Sequence, residues 1–255
     1  MKITTFTEGK RPPANEDTYA YSETCFVVCD GSTGKKGGTY NGKTGGKVAS
    51  TLMADAALKS NLNGPELVSY LTTTLQEKQV ELQKLGHEME IETTLVCARI
   101  VGSNLIVTQV ADTAFRINES EEYSNPAIID KLMSETRAHY IRLTHDVDGG
   151  RDYIMPLLLN EHAYRNNAEN AAGYGVLDGT TVPTTFIKVY EFDMQEIKTL
   201  EIYTDGYFAI PDTADIDAYE ALHAKIQQED PYKYLTYTST KSNDDRTVVI
   251  VDFTK

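Results

Sequence analysis

The sequence predicts an α+β fold in which helices pack on antiparallel sheets. Two pairs of apolar runs flank turn signals, Gly102-Ser103-Asn104 within residues 91–112 and the polar stretch 193–198 within residues 184–205. Such pairs are typical of β-hairpins, whose strands are antiparallel. Between residues 47 and 75 the apolar spacing changes to that of helices. We therefore expect sheets covered by helices rather than a parallel α/β fold.

The remaining elements follow in chain order. Three strands are predicted in the first thirty residues, in KITTFT, TYAYS and TCFVVCD, before a glycine-rich stretch. Two helices come next, separated by the turn signal Asn63-Gly64-Pro65. After the first hairpin, residues 126–170 have only weak periodicity; a helix near 216–228 and a final strand, TVVIVDF, follow the second hairpin. No repeat or linker divides residues 1–255, so we expect a single domain.

The net charge of the chain limits which binding partners are expected. Lys and Arg number 24 against 38 Asp and Glu, a formal net charge of -14. Nucleic acid and anionic membranes repel such a chain, so neither is an expected partner. Cys25, Cys29 and Cys97 lie in apolar, strand-like runs and are odd in number. Because the first residues carry no apolar signal segment, we expect free thiols and a cytoplasmic location.

One arrangement recurs, an acidic residue at the boundary of an apolar strand. Asp residues of this kind, here called the strand-end aspartates, are Asp17, Asp30, Asp112, Asp205 and Asp244. Carboxylates on the ends of neighbouring strands lie close together and repel unless a cation neutralises them. All-oxygen ligands favour Mg²⁺ or Mn²⁺ over zinc. Asp is also a common turn former, so each position alone has a purely structural alternative.

Five motifs in order resemble those of the PPM family of metal-dependent Ser/Thr phosphatases (protein phosphatase 2C-like). They are Arg11 with Asn15-Glu16-Asp17, Asp30-Gly31 through Gly45-Gly46 to Ala49-Ser50, Thr93-Thr94-Leu95 with Ala111-Asp112-Thr113, Thr204-Asp205-Gly206, and Asp244-Asp245-Arg246-Thr247. The resemblance covers nearly the whole chain. It implies a four-layer α-β-β-α sandwich of two antiparallel sheets flanked by helices.

The resemblance also implies roles for individual residues. Asp30 would bridge two ions of Mg²⁺ or Mn²⁺, with the Gly31 carbonyl on one of them. The other implied metal ligands are Glu16, Asp17, Asp205 and Asp244, with Asp112 helping to hold a third ion. Arg11 would bind the substrate phosphate, because a guanidinium matches phosphate oxygens. The implied reaction is attack of a metal-activated water on phosphoserine or phosphothreonine of a protein substrate that a partner kinase supplies.

The chain departs from the family pattern at four places. Arg11 lies one residue farther from Asn15 than in the family, separated from it by Pro12-Pro13-Ala14. Ser32-Thr33-Gly34 follows the first Asp-Gly pair, which differs from the family sequence there. The Gly-Asp-Ser-Arg motif reads Ala-Asp-Thr-Ala, with an arginine only at Arg116, and Asp245 replaces the usual Asn. These departures leave a second hypothesis open, a non-catalytic protein of the same fold that binds a phosphoprotein.

A third hypothesis comes from the glycine-rich stretch. Gly37, Gly42, Lys43 and Thr44 match the phosphate-loop pattern of nucleotide-binding proteins. Such a loop follows directly on a strand of a parallel sheet, whereas the apolar run here stops at Cys29 and the hairpins indicate antiparallel strands. The nucleotide-binding hypothesis therefore requires parallel strands, whereas the phosphatase hypothesis requires antiparallel ones.

Overall fold

Ten strands form two five-stranded sheets in a computed structural model that describes residues 1–11, 14–32, 34 and 37–254. The first sheet has the order β1 (Lys2–Glu8), β10 (Arg246–Asp252), β9 (Thr199–Tyr203), β6 (Ala114–Ile117) and β7 (Glu121–Tyr123). The second has the order β2 (Thr18–Tyr21), β3 (Cys25–Cys29), β4 (Leu95–Val101), β5 (Asn104–Val110) and β8 (Ile187–Asp193). Pro12, Pro13 and Thr33, which belong to two of the departures from the family pattern, lie outside the described residues.

The two sheets pack face to face through alternating side chains. On β3, Phe26 and Val28 join a buried cluster with Ile202 of β9 and Val249 of β10. The intervening side chains of β3 point to the other face of the sheet, because successive strand residues alternate in direction. The strands are therefore apolar on both faces, which explains their continuous apolar runs.

Helices cover the outer faces of both sheets. On the second sheet, α1 (Gly45–Lys59) and α2 (Gly64–Lys84) bury Met53, Leu67 and Leu71 against Val27 of β3. On the first sheet, Tyr219 of α5 (Ile216–Glu229) is buried with residues of β9 and β10. The order is helix, sheet, sheet, helix, so the predicted four-layer sandwich is confirmed.

Two further helices occupy the segment that had no clear periodicity. α3 (Ile128–Thr144) and α4 (Val147–Leu159) share a separate small core that includes Met133 and Ile154. Arg137 of α3 is buried and donates hydrogen bonds to three backbone carbonyls and one hydroxyl of the loop 231–242. Arg142 and Arg151 donate to two more carbonyls of this loop, at 2.8 and 2.7 Å. The α3–α4 pair and the loop 231–242 therefore form one connected unit.

The prediction of a second hairpin is wrong. β8 pairs with β5 in the second sheet, whereas β9 pairs with β10 and β6 in the first sheet. The turn between them crosses from one sheet to the other, and Ile197 within it is buried between the sheets. The polar stretch 193–198 thus marks a turn of the chain between two strands, β8 and β9, that do not pair with each other. The hairpin between β4 and β5 is confirmed.

The sheet topology does not match the phosphate-loop hypothesis. Every pairing between the ten strands is antiparallel. Thr44 serves as the N-cap of α1, where its hydroxyl accepts a hydrogen bond from the backbone of Lys47. β3 ends at Cys29, several residues before Gly37. None of the helices in the described ranges combines the length and apolar content that crossing a membrane requires.

Arg116, the arginine displaced from the expected motif, has a structural role. It lies on β6 and pairs with Glu201 of β9, with Nε and Nη2 at 2.8 and 2.6 Å from the two carboxylate oxygens. Tyr219 donates to the same carboxylate, and Glu201 is fully buried. A buried carboxylate needs such partners, because burial without them is costly.

Replacing one partner of this pair should therefore destabilise the fold. We expect Arg116→Met to lower the free energy of unfolding by about 3–5 kcal/mol, because Glu201 keeps its charge without its main partner. The double variant Arg116→Met/Glu201→Leu should recover most of that loss. Denaturant unfolding of the three proteins measures both effects. Equal stability of the single and double variants would contradict this account.

Candidate metal centre

The strand-end aspartates lie at one end of the sandwich, where the two sheets meet. Asp30 follows β3 and Asp17 precedes β2 in the second sheet, whereas Asp205 follows β9 and Asp244 precedes β10 in the first. Asp112 lies between β5 and β6, where the chain passes from one sheet to the other. Asp17 and Asp30 therefore lie at the ends of the neighbouring strands β2 and β3, and Asp205 and Asp244 at the ends of the neighbours β9 and β10, as expected. The two pairs come from facing sheets. The cleft beside them has a volume of about 1210 Å³.

The charges in this centre affect one another strongly. The pKa of Asp30 is raised well above its usual range by burial, and then by the charges of Asp17 and Asp205. Burial followed by the charge of Asp205 raises the pKa of Asp112 to about 6. Crowded carboxylates of this kind favour either protonation or a bound cation.

Asp17 has one carboxylate oxygen without a hydrogen-bond partner. The side chain is buried, and its Oδ2 accepts a hydrogen bond of 2.8 Å from the hydroxyl of Thr204. Among the described residues nothing donates to its Oδ1, which is also buried. Burial raises the pKa of this carboxyl to about 7. An orphaned buried carboxylate oxygen is what a cation ligand leaves when its ion is removed.

The backbone of Asp30 is held by the two threonines of the predicted Thr-Thr motif. Thr93 Oγ1 donates to the carbonyl of Asp30 at 2.6 Å, and the backbone N–H of Thr94 donates to the same carbonyl at 2.9 Å. The Asp30 N–H in turn donates to Thr94 Oγ1 at 3.1 Å. The Thr94 hydroxyl also contacts the hydroxyl of Thr113, next to Asp112. Two of the aspartates are thereby linked through one pair of threonines.

The glycines after Asp30 and Asp205 are required by close backbone packing. A Cβ on Gly31 would lie 2.4 Å from the carbonyl oxygen of Gly46, and one on Gly206 would lie 2.0 Å from that of Asp245. Neither glycine has a positive φ. The Asp-Gly pairs therefore allow other segments to pack tightly behind the aspartates.

Two lysines contact Asp244. Lys10 Nζ lies 3.2 Å from Asp244 Oδ1 and 3.4 Å from Glu16 Oε2. Lys241 Nζ contacts Asp244 Oδ2 and lies 3.9 Å from Asp205 Oδ2. Thr44 donates to the other oxygen of Glu16 at 2.6 Å. Ammonium groups thus supply positive charge among the carboxylates.

Asp245 supports the centre, and the sequence did not assign it a role. Its Oδ1 accepts the backbone N–H of Lys10 at 2.7 Å, and its Oδ2 accepts that of Glu16 at 2.9 Å. A carboxylate can accept both bonds, whereas the amide of the usual Asn offers only one oxygen. Asp245 therefore fixes both ends of the segment before β2. The replacement of Asn by Asp was the only signal for this role in the sequence.

Asp130, on the first turn of α3, also faces the cleft and was not predicted. Burial raises its pKa to about 8, with further contributions from the charges of Asp112 and Glu161. It comes from the segment of weak periodicity, in which no motif marks it as a site residue. Asp130 adds another carboxylate beside Asp112.

Arg11 lies at the edge of the cleft and is exposed. Its carbonyl accepts the backbone N–H of Ala14 at 2.9 Å. No hydrogen bond or ion pair joins its guanidinium to another described residue. The predicted phosphate ligand is therefore close to the centre but not held toward it.

The donor set is compatible with a hard divalent cation. All donors are carboxylate or carbonyl oxygens, and the unpartnered Oδ1 of Asp17 lies within the centre. Within residues 1–11, 14–32, 34 and 37–254, however, no three His, Cys, Asp or Glu side chains form a closed ligand group. The ammonium groups of Lys10 and Lys241 lie against Asp244 instead. A bound ion would require these lysines to move aside.

The fold is that of the PPM-type phosphatases, as the resemblance predicted. A bacterial serine phosphatase superimposes with a TM-score of 0.56 over 99% of this chain and 97% of its own, at 15% identity. The serine/threonine phosphatase Stp1 from Staphylococcus aureus gives 0.54 over 99% and 94%, at 16% identity. The catalytic domain of the serine/threonine phosphatase PstP in complex with two manganese ions gives 0.55 over 98% and 97%, at 16% identity. No family model and no curated protein sequence matches the chain.

The raised pKa values predict how pH changes the stability of the metal-free protein. Asp17, Asp112 and Asp130 have folded-state pKa values of about 7, 6 and 8, above their ordinary value of 3.8. The folded state then binds more protons than the unfolded state, so stability is greatest at low pH and is lost as pH rises through 6–8. In chelator, we expect the free energy of unfolding to increase as pH falls from 8 to 5.

The matched control for this measurement is Asp17→Asn, which removes one titrating group. Each such group changes the free energy of unfolding by about 1.4 kcal/mol per pH unit over the pH range in which it is protonated in the folded state but not in the unfolded state. Denaturant unfolding in chelator at pH 5, 6, 7 and 8 should therefore show a shallower dependence for this variant. Identical slopes for the two proteins would exclude Asp17 as a contributor.

Proposed function

We propose that the chain is a metal-dependent phosphoprotein phosphatase that hydrolyses phosphoserine or phosphothreonine. The observation that carries the proposal is the convergence of the five strand-end aspartates at one end of two facing sheets, where Asp30, Asp112 and Asp205 line one cleft. The fold likeness over nearly the full length to phosphatases of that specificity supports it. The cleft volume of about 1210 Å³ leaves room for a peptide segment, which suits a protein substrate.

The residues that would hold Mg²⁺ or Mn²⁺ follow from the centre. Asp30, Asp205 and Asp244 supply carboxylates from both sheets, and Asp17 supplies the buried oxygen that has no hydrogen-bond partner. Bound Mg²⁺ or Mn²⁺ would lower the pKa of a water molecule and neutralise charge on the phosphoryl oxygens. Two or three ions are proposed, with Asp112 beside Asp205 serving the third.

The chain's own contribution is to fix these groups before substrate binds. The threonine pair 93–94 holds the backbone of Asp30, and Asp245 holds the segment that carries Glu16. Preorganised charged groups lower a reaction barrier most because they need no reorganisation during the reaction. A cation must also bind the substrate phosphate, for which the resemblance implies Arg11. A kinase that phosphorylates the same serine or threonine is the implied partner.

The proposal predicts that activity depends on divalent cations and on the strand-end aspartates. With a phosphothreonine peptide, Mn²⁺ should support hydrolysis that chelator abolishes. Asp30→Asn and Asp205→Asn should each lower turnover by at least ~100-fold, the scale of lost charge stabilisation at an active site. Phosphate release measured with and without Mn²⁺ tests this expectation. Full activity in chelator would exclude the metal mechanism.

A second candidate function is binding of a phosphoprotein without hydrolysis. The observation that favours it is the contact of Lys10 and Lys241 with Asp244, together with the lack of a closed ligand group in the described part of the chain. It differs from the first proposal in one measurable respect. Wild-type protein that binds a phosphopeptide but releases no phosphate at saturating Mn²⁺ would support the second candidate.

The phosphate-loop hypothesis can be tested independently through Lys43. This side chain is exposed in the glycine-rich stretch. We expect Lys43→Ala to keep phosphatase activity within a few-fold of wild type, because the strand-end aspartates are unchanged. Equilibrium binding of ATP with magnesium provides the second measurement. Tight ATP binding that is lost in Lys43→Ala would favour the nucleotide hypothesis.

A further inference from the structure

We propose that Lys10, rather than Arg11, is the residue that binds the phosphoryl group of the substrate. This inference rests on the proposed function and names a binding residue that the resemblance does not supply. The chemical requirement is simple: a phosphate dianion in an acidic protein needs a cation that faces the reacting site. Both Lys10 and Arg11 line the cleft, so their surroundings decide between them.

The first argument is the position of the Lys10 ammonium group. It lies within 3.2–3.6 Å of oxygens of Asp244, Glu16 and Asp245. Its side chain is still 28% exposed, so it remains open to the cleft. The Arg11 guanidinium has no partner among the described residues. Lys10 is thus held at the centre, as Lys241 is, whereas Arg11 lies at its edge.

The second argument is how the backbone of Lys10 is fixed. The Asp245 carboxylate accepts the Lys10 N–H at 2.7 Å, and Asp245 itself is buried. The base of the side chain therefore stays in place, whereas its four-carbon stem allows the ammonium to shift by a few ångströms. The same carboxylate binds the N–H of Glu16. Asp245, which stands where the family pattern has Asn, thus holds the backbone of the lysine that we propose as the phosphate ligand.

The third argument concerns charge balance. Carboxylates that bind divalent cations have less negative charge left to attract an ammonium group. The Lys10 ammonium would then face the cleft without strong competition from Asp244 or Glu16, and an incoming phosphate would be its best partner. A lysine is a strongly hydrated point charge, so it binds one phosphate oxygen without the paired geometry of an arginine.

Calorimetric titration of inorganic phosphate into the Mn²⁺-loaded protein tests the inference without turnover. Loss of one charge-assisted hydrogen bond corresponds to roughly a 10- to 100-fold weaker affinity. We expect Lys10→Met to weaken phosphate binding by that factor and to raise the KM for a phosphothreonine peptide. Lys10→Arg should restore most of the affinity. Lys225→Met is the matched control, because Lys225 is an exposed lysine of α5 outside the cleft lining and its loss should leave the affinity within about twofold.

Mn²⁺ titration into the metal-free proteins separates binding of phosphate from a structural role. If Lys10 only compensates the carboxylates, Lys10→Met will change Mn²⁺ affinity and thermal stability but not phosphate affinity, and the inference fails. It also fails if Arg11→Met or Lys241→Met loses phosphate binding while Lys10→Met retains it. Lys10→Gln provides a second neutral variant should Lys10→Met not fold.

The two proposals can fail separately. A wild-type protein that binds phosphate through Lys10 but hydrolyses no phosphopeptide would contradict the phosphatase proposal and support this inference. A protein that hydrolyses the peptide with full affinity for phosphate in Lys10→Met and Lys10→Gln would support the phosphatase proposal and overturn this inference.

Discussion

Electrostatic repulsion among buried carboxylates is the constraint on which this end of the molecule depends. Two sheets pack face to face through apolar side chains, and that packing brings Asp30 and Asp17 close to Asp205. The favourable term is burial of apolar area, which is large and non-directional. Crowding of charge at the sheet ends opposes it. Any cation that enters the centre, ammonium or divalent, removes the same repulsion and so competes for the same carboxylates.

The residues around the centre explain why this repulsion does not force the aspartates apart. Hydrogen bonds from Thr93 and Thr94 and the packing of Gly31 against Gly46 restrict the backbone near Asp30. Asp245 acts in the same way on the segment that precedes β2. The repulsion among the aspartates is thus counteracted by many ordinary contacts of the surrounding fold, as is common at functional sites.

Local pattern predicted helices on antiparallel sheets and the strand-end aspartates, whereas the four-layer order was implied by the resemblance to the PPM family. Continuous apolar runs mark buried strands, helical spacing marks the buried face of a helix, and an acid after an apolar run marks a strand end wherever that strand pairs. The second hairpin was wrong because a turn signal reports a reversal of the chain and not its partner. Asp245, Lys10 and Asp130 were missed because their roles depend on which segments meet in space, and β6 and β7 are too short to show a period.

The buried guanidinium of Arg137 couples the loop 231–242 to α3. Its hydrogen-bond partners in the described part of the chain are carbonyls and a hydroxyl of the loop 231–242, with no carboxylate among them, and burial lowers its pKa. Separating the loop from α3 would leave a desolvated cation and several unpaired acceptors at the same time. Irregular surface loops commonly fray one residue at a time, but this one is expected to exchange its amide hydrogens together with α3, as a single cooperative unit.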